Sequence, residues 1–159
     1  MLPDGVELRV EPYDGPVAQE LIAAVQQEYV ARYGGPDDSP VDPDEFAPPA
    51  GCFVVAYAGV EAVAIGGLRP AEDGAAGGGA MEIKRMYVRP SWRGRGLARV
   101  VLADLEARAR DLGATRIVLE TGQRQPEAIR LYETSGYARI DGFGHYACSP
   151  MSVSFGKNL

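Results

Sequence analysis

Trp92-Arg93-Gly94-Arg95-Gly96-Leu97-Ala98-Arg99 is the stretch of sequence that decides the fold. It lies between an apolar run at 81–88, which predicts a strand, and a run at 97–112 whose apolar spacing predicts a helix. Glycines let consecutive backbone N–H groups point at one ligand, and a helix N-terminus adds positive partial charge. Because cations oppose the helix dipole at that end, the arginines there favour a bound anion.

The elements around this turn predict one mixed sheet with helices. Strand 81–88, helix 97–112 and strand 116–120 form a β-α-β unit, so its two strands should be parallel. Hairpins on both sides should add antiparallel strands. Further strands are expected at 6–10, 52–57, 60–68, 137–140 and 151–155, and further helices at 17–33 and 127–135.

Two segments between these elements are predicted to be irregular. The glycine-rich segment 69–80 is predicted to be a flexible turn. Residues 37–51, rich in Pro and Asp, form a loop that either covers a substrate site or only connects its neighbours. The chain is therefore expected to be a single α+β domain over residues 1–159, built on a mixed, mostly antiparallel sheet of about six or seven strands.

The composition limits the kinds of molecule that the protein is expected to bind. A net charge of −6 argues against a nucleic-acid partner, yet cations concentrate in one region, which suits a small anionic ligand. These cations are Lys84, Arg85, Arg89, Arg93, Arg95 and Arg99. No apolar run approaches the roughly 20 residues that cross a bilayer, so no membrane partner is expected.

The cysteines and the single histidine predict neither disulfides nor a metal site. Cys52 and Cys148 form no metal-binding spacing and are expected to be buried thiols of a cytoplasmic protein. His145 has no second histidine with which to build a cluster. The N-terminus lacks the basic and apolar regions of a signal peptide, which also favours the cytoplasm.

The turn differs from two common nucleotide loops and resembles a third motif. It lacks the Lys-Ser/Thr pair of the P-loop, and Arg99 occupies the third glycine position of Gly-x-Gly-x-x-Gly. It resembles Gln/Arg-x-x-Gly-x-Gly/Ala, the pyrophosphate-binding signature of the GNAT N-acetyltransferase superfamily. Residues 82–90 are similar to that family's central strand. Residues 125–137, Gln-Pro-Glu-Ala-Ile-Arg-Leu-Tyr-Glu-Thr-Ser-Gly-Tyr, are similar to its second signature, a helix ending in Leu-Tyr-Glu-x-x-Gly-Phe/Tyr.

The resemblance covers most of the chain and implies a GNAT acyl-CoA N-acyltransferase fold with acetyl-CoA as co-substrate and no metal. In this family the pantetheine amides pair with the central strand, and the pyrophosphate lies on the turn. Gln125 stands where many members carry an Asn that helps to hold the pantetheine, so its reach differs. The implied acetyl-CoA-binding residues are Met86, Tyr87, Val88, Arg93, Gly94, Arg95, Gly96, Leu97, Ala98, Arg99 and Gln125.

The resemblance also implies two catalytic residues. Tyr132 stands at the position of the family's tyrosine beside the sulfur and would donate a proton to the departing thiolate. Glu82 stands at the strand position that several members use as general base, acting directly or through water. The alternatives are that Tyr132 only packs on its helix face, and that Glu82 forms an ion pair with Lys84 or an arginine.

The expected function is transfer of the acetyl group to a primary amine of a small molecule or peptide, by direct attack and without a covalent enzyme intermediate. The alternative is a non-catalytic module that senses or presents an acyl-CoA. The acceptor is not identified, because the segments that would define it, 29–51 and 141–150, match no known pattern. Acidic runs at 37–38 and 42–45 suggest a cationic acceptor, although a solvated acidic loop explains them better. The resemblance also makes a homodimer through the last strands plausible.

Overall fold

A computed structural model describes residues 3–71 and 79–159. The strands are β1 Val6–Val10, β2 Cys52–Ala58, β3 Glu61–Pro70, β4 Ala80–Val88, β5 Arg116–Gly122, β6 Ala138–Ile140 and β7 Ser152–Asn158. The helices are α1 Pro16–Tyr33, α2 Leu97–Asp111 and α3 Pro126–Thr134. The seven strands form one sheet in the order β1-β2-β3-β4-β5-β7-β6.

The strand pairing confirms the predicted α+β class and the mixed sheet. Only β4 and β5 pair in parallel, on either side of the α2 crossover. The other five neighbouring pairs are antiparallel. No helix within the described residues is long and apolar enough to span a membrane.

Helices pack through apolar residues on both faces of the sheet, so the central strands are buried on both sides. Helix α1 packs on one face, and α2 and α3 pack on the other. Strand β3 accordingly reads as a nearly continuous run of small and apolar residues, without alternation. The α1 side contains Leu21, Val25, Phe46, Phe53 and Ile65; the α2 side contains Leu97, Val101, Leu105, Leu119 and Phe155.

Two expectations about the connecting segments were wrong in part. Arg69 and Pro70 continue β3, and Ala80 already belongs to β4, so the predicted turn at 69–80 is shorter. Its residues 72–78 lie outside the described residues. Cys148 is exposed, whereas Cys52 is buried as expected.

A fork between β4 and β5 positions the site. Their pairing runs from Ala80 opposite Arg116 to Ile83 opposite Leu119 and then stops, although both strands continue. On its other edge β4 carries a bulge, because Arg85 and Met86 together face one residue of β3. A bulge bends its strand, so β4 turns away from β5 and the two strands enclose a groove.

Candidate active site

The groove between the forked strands has a volume of about 450 Å³. It is lined by the end of β4, the turn before α2, the end of β5, the start of α3 and one side of α1. Of the residues predicted from the sequence to bind acetyl-CoA or to catalyse, all line the groove except Glu82 and Arg95. The structure therefore brings together segments that are far apart in the chain.

The turn before α2 presents free backbone donors. Gly94 and Gly96 have φ angles of 77° and 79°, a left-handed conformation that favours glycine. The first α2 backbone bond to the turn runs from the Val100 N–H to the Gly96 carbonyl at 3.2 Å. Within the described residues, the six N–H groups from Gly94 to Arg99 have no acceptor. A helix N-terminus with this many free N–H groups is suited to bind a phosphate.

The three arginines of the turn have different partners. Arg93 donates from Nε to the Val88 carbonyl at 2.9 Å and forms an ion pair with Glu28 of α1. Arg99 donates to the Oγ1 of Thr134 at 2.6 Å, at the end of α3. Arg95 lies over the Trp92 ring at 4.4 Å and forms no ion pair within the described residues. Arg93 therefore connects the turn to α1, and Arg99 connects it to α3.

Tyr132 lies on the buried face of α3 and lines the groove. Its ring packs 5.7 Å from that of Tyr137 and 5.9 Å from that of Phe155. Its hydroxyl has no hydrogen-bond partner among residues 3–71 and 79–159. Burial raises the pKa of Tyr132, and nearby Tyr29 adds to the effect, so the phenol stays protonated and can donate.

Gln125 lies at the N-terminus of α3 and is held by two hydroxyl groups. Its Oε1 accepts from Tyr33 Oη at 3.2 Å and from Thr121 Oγ1 at 3.4 Å. Gly122 makes room for the tyrosine, since a Cβ there would lie 1.9 Å from Tyr33 Oη. The side chain of Gln125 is therefore fixed at the groove wall.

Glu82 lies in a buried ion pair. Arg69 Nε donates to Glu82 Oε1 at 2.8 Å, and the two side chains are only 7% and 6% exposed. Arg69 also donates to the Pro40 carbonyl at 3.0 Å. This arrangement is the ion pair with an arginine that the sequence left as the alternative for Glu82. Its role as a base is untested and stays a prediction.

The sequence did not predict a triad of charged side chains in the groove. Asp37 Oδ2 accepts from Lys84 Nζ at 3.0 Å and from Arg85 Nη1 at 2.7 Å. Burial alone would raise the pKa of Asp37, but Lys84 and Arg85 more than offset burial and hold it well below the usual range. Asp37 follows α1 in the long loop, so no local pattern indicates that it meets the central strand.

Glu120 is the second residue that was missed. It follows Leu119, the last β5 residue paired with β4, and lines the groove half-buried. Ser152 Oγ donates to its Oε2 at 3.0 Å, and no ion pair to Glu120 forms within the described residues. Burial raises the pKa of Glu120. Its signal in the sequence is an acid at the carboxyl end of an apolar strand in a β-α-β unit.

The carboxylates of the groove do not form a cluster of metal ligands within the described residues. Among residues 3–71 and 79–159, no group of three or more His, Cys, Asp or Glu side chains is placed to hold a metal ion. The charged side chains of the groove instead pair with one another or accept from hydroxyls.

Comparison with known proteins agrees with this fold. The sequence profile of the acetyltransferase (GNAT) family matches residues 19–137. The chain is 31% identical over 158 residues to an IAA acetyltransferase of Azospirillum brasilense, covering 99% of this chain and 100% of that protein. A Klebsiella pneumoniae structure assigned as an acyl-CoA N-acyltransferase superposes with a TM-score of 0.77 at 31% identity, covering 97% of each chain.

A third comparison concerns the fold alone. A GNAT acetyltransferase from Elizabethkingia anophelis, solved with acetyl-CoA bound, superposes with a TM-score of 0.69 at 16% identity. The alignment covers 99% of this chain and 100% of that one.

The fold and the family profile, together with the relative named as an acetyltransferase, make the protein an acyltransferase. The chain belongs to the acetyltransferase (GNAT) family.

Proposed function

We propose that this protein transfers the acetyl group of acetyl-CoA to a primary amine. The observation that carries the proposal is that one groove is lined by Gly94 and residues 96–99, whose five backbone N–H groups have no acceptor within the described residues, and by Tyr132, whose hydroxyl has none there either. The first feature matches a pyrophosphate, and the second matches a departing thiolate. The relatives support the acetyl group as cargo, since one is named an acetyltransferase and another binds acetyl-CoA.

The shape of the groove fits the co-substrate. Beyond Ile83, β4 has no partner strand on its β5 side, so backbone groups up to Val88 are available to amides of an extended arm. The unpaired part spans five residues, roughly 16 Å at about 3.3 Å each. Gln125 adds an amide on the opposite wall. Arg93 occupies the Val88 carbonyl in this structure, so it would have to turn toward the phosphates on binding.

The chemical step needs a proton acceptor and a proton donor. Glu120 would take the proton of the amine, whose nitrogen then attacks the thioester carbonyl carbon. As the C–N bond forms, the C–S bond breaks, and the Tyr132 hydroxyl gives its proton to the sulfur. The second proton that the new amide nitrogen loses then restores the neutral Tyr132 hydroxyl. Burial raises the pKa of both groups, which strengthens Glu120 as a base and keeps Tyr132 neutral until thiolate forms.

Glu120 is better placed than Glu82 to receive this proton. Glu120 lines the groove and has no cation partner, whereas Glu82 lies outside the lining and is bound to Arg69. Arg69 Nε already donates to Glu82 Oε1, one of the two oxygens that would have to accept the proton. Glu82 stays in the proposal as a base that would act through water.

A thiol-release assay tests the proposal. Acetyl-CoA is offered with a panel of amines, peptides and amino acids, and binding of acetyl-CoA is followed separately by calorimetry. We expect thiol release that depends on the acceptor. Binding without release on any acceptor would instead support a module that senses or presents an acyl-CoA.

Replacement of Tyr132 by Phe tests the proton donor within the same assay. The ring contacts with Tyr137 and Phe155 remain, so only the hydroxyl is lost. We expect kcat to fall by roughly 10²- to 10⁴-fold, with the Kd of acetyl-CoA unchanged. An unchanged kcat would remove Tyr132 from the mechanism.

A further inference from the structure

A positive wall lies on one side of the fork. Lys84 is the first β4 residue beyond the pairing with β5, and Arg85 follows at the bulge. Both side chains line the groove and share one carboxylate, that of Asp37. Since Glu28 is already paired with Arg93, this wall keeps one uncompensated positive charge within the described residues.

Several hydrogen-bond donors of this wall have no acceptor within the described residues. Lys84 Nζ makes one bond although an ammonium group has three N–H donors. Arg85 donates from Nε to Tyr13 Oη at 3.3 Å and from Nη1 to Asp37, which leaves Nη2 without a partner among the described residues. Because these cations line the groove, their free donors suit an anion bound at this point.

The wall is held rigidly. The Asp37 N–H donates to Gln26 Oε1 of α1 at 2.8 Å, and Gln26 Nε2 donates to the Asp37 carbonyl at 3.0 Å. Arg85 has a φ of 60°, a strained backbone conformation that persists only where the surroundings hold it. Such strain is found at binding sites, where it aims a side chain that a regular strand would point elsewhere.

A negative wall faces it across the fork. Glu120 is the first β5 residue beyond the pairing, as Lys84 is on β4, and alternation puts both side chains on the α1 face. Despite this position the two form no ion pair, because Lys84 is drawn to Asp37. A gap with a cation on one side and, within the described residues, an unpaired carboxylate on the other therefore lies in the same groove as Tyr132.

We propose that the acceptor is a zwitterion with its carboxylate close to its amine, as in a free α-amino acid. The carboxylate would bind Lys84 and Arg85, and the amine would face Glu120 and the thioester. This inference rests on the proposed acetyl transfer and names the substrate class of that site. A simple cation such as a polyamine would complement Glu120 but would leave the donors of Lys84 and Arg85 unmatched.

Matched acceptor pairs test the inference. The thiol-release assay is run with each of a set of free amino acids beside its carboxamide, which keeps the amine and removes the negative charge. We expect kcat/KM to be about 10- to 100-fold higher for the free acids, the range of a hydrogen-bonded charge. Equal rates, or a preference for the carboxamides, would overturn the zwitterion while leaving acetyl transfer intact.

Variants of Lys84 assign the preference to this wall. Lys84→Met should bring the ratio of free acid to carboxamide close to one, because Asp37 then neutralises the remaining Arg85, whereas Lys84→Arg should keep it. Thermal melting checks that both variants fold. A ratio that survives in Lys84→Met would overturn the assigned subsite. Thiol release with none of the amines would overturn the proposed function itself, and this inference with it.

Discussion

The two halves of the groove are built in different ways. The donor half, residues 86–99 and 125–132, offers backbone N–H groups and one hydroxyl, none of which has a partner within the described residues. The acceptor half, Asp37, Lys84, Arg85 and Glu120, offers side-chain charges, of which three are already paired. The turn of the donor half is contiguous in sequence, although Arg93 and Arg99 connect it to α1 and α3. The acceptor half is assembled only by contacts between residues about 47 apart in sequence.

This difference teaches which functions a sequence can reveal. A turn that binds phosphate needs glycines and a helix start within a few residues, so its pattern is contiguous. A charge triad needs only that the fold bring three residues together. We expect the donor half to be common to relatives that use the same co-substrate, and the acceptor half to decide what each of them acetylates.

The largest effect expected in the acceptor half is the loss of the base. Glu120→Gln should lower kcat/KM by roughly 10²- to 10⁴-fold, because the amide cannot accept a proton. In the unmodified protein, kcat/KM should rise with pH through the pKa of Glu120, which burial places above its ordinary value, and then level off. A pH–rate profile measured with the amino acid that turns over fastest checks both points.

Glu82→Gln is the matched comparison for this base. In the unmodified protein the Glu82 carboxylate is bound to Arg69. The substitution should therefore lower the melting temperature and leave the rise of kcat/KM with pH in place. If Glu82→Gln abolishes that rise and Glu120→Gln does not, the proton passes to Glu82 through water. That outcome would make the sequence-based assignment of the base correct.

The next effect is on stability. Asp37→Asn should lower the free energy of unfolding by about 3 kcal/mol, because it leaves Lys84 and Arg85 close together without a counter-charge. The folded protein holds the pKa of Asp37 below its ordinary 3.8, so this stabilisation is complete above that pH and is lost as the pH falls below it. Urea unfolding at several pH values measures the difference between the two proteins.

Asp38→Asn is the control for that experiment. Asp38 is the adjacent acid, but its side chain is 77% exposed and bonds only to the loop residues His145 and Tyr146. Exposed pairs of this kind contribute little to stability, so unfolding should change little. Equal losses in the two variants would show that the triad is no more important to the fold than a surface contact.

The sequence was sufficient to predict the strands of the sheet and the turn and helix of the donor half, because each of these has a short-range sequence signal. Gly34, Gly113 and Gly136, all at positive φ, mark the ends of helices that apolar spacing had located. The β-α-β rule supplied the parallel pair. The second signature located Tyr132, which lines the groove as expected.

The remaining features depend on long-range geometry that no local pattern shows. Arg69 was read as part of a turn, yet β3 carries it to a buried pair with Glu82. The bulge at Arg85 arises from the register with β3 and not from a glycine or proline in β4. The sequence shows 37–38 as an acidic run, but the ion pair between Asp37 and Lys84 depends on how the whole loop folds.

The smallest expected effect separates backbone strain from binding in the donor half. Gly96→Ala should lower the free energy of unfolding by about 1 kcal/mol, because alanine disfavours a φ of 79°. A Cβ there has no neighbour within 4 Å in the protein, so no clash adds to this cost. The methyl group would stand where a phosphate must approach the N–H groups, so the Kd of acetyl-CoA should rise by roughly tenfold or more, as calorimetry can measure.

Gly34→Ala supplies the matched control for this turn. Gly34 has a φ of 82° at the end of α1, and a Cβ there also has no neighbour within 4 Å. The two variants should therefore lose similar stability, since their backbone strain is alike, while only Gly96→Ala weakens acetyl-CoA binding. Equal Kd values for both variants would mean that the turn is shaped for folding alone, and the phosphate site would then have to lie elsewhere in the groove.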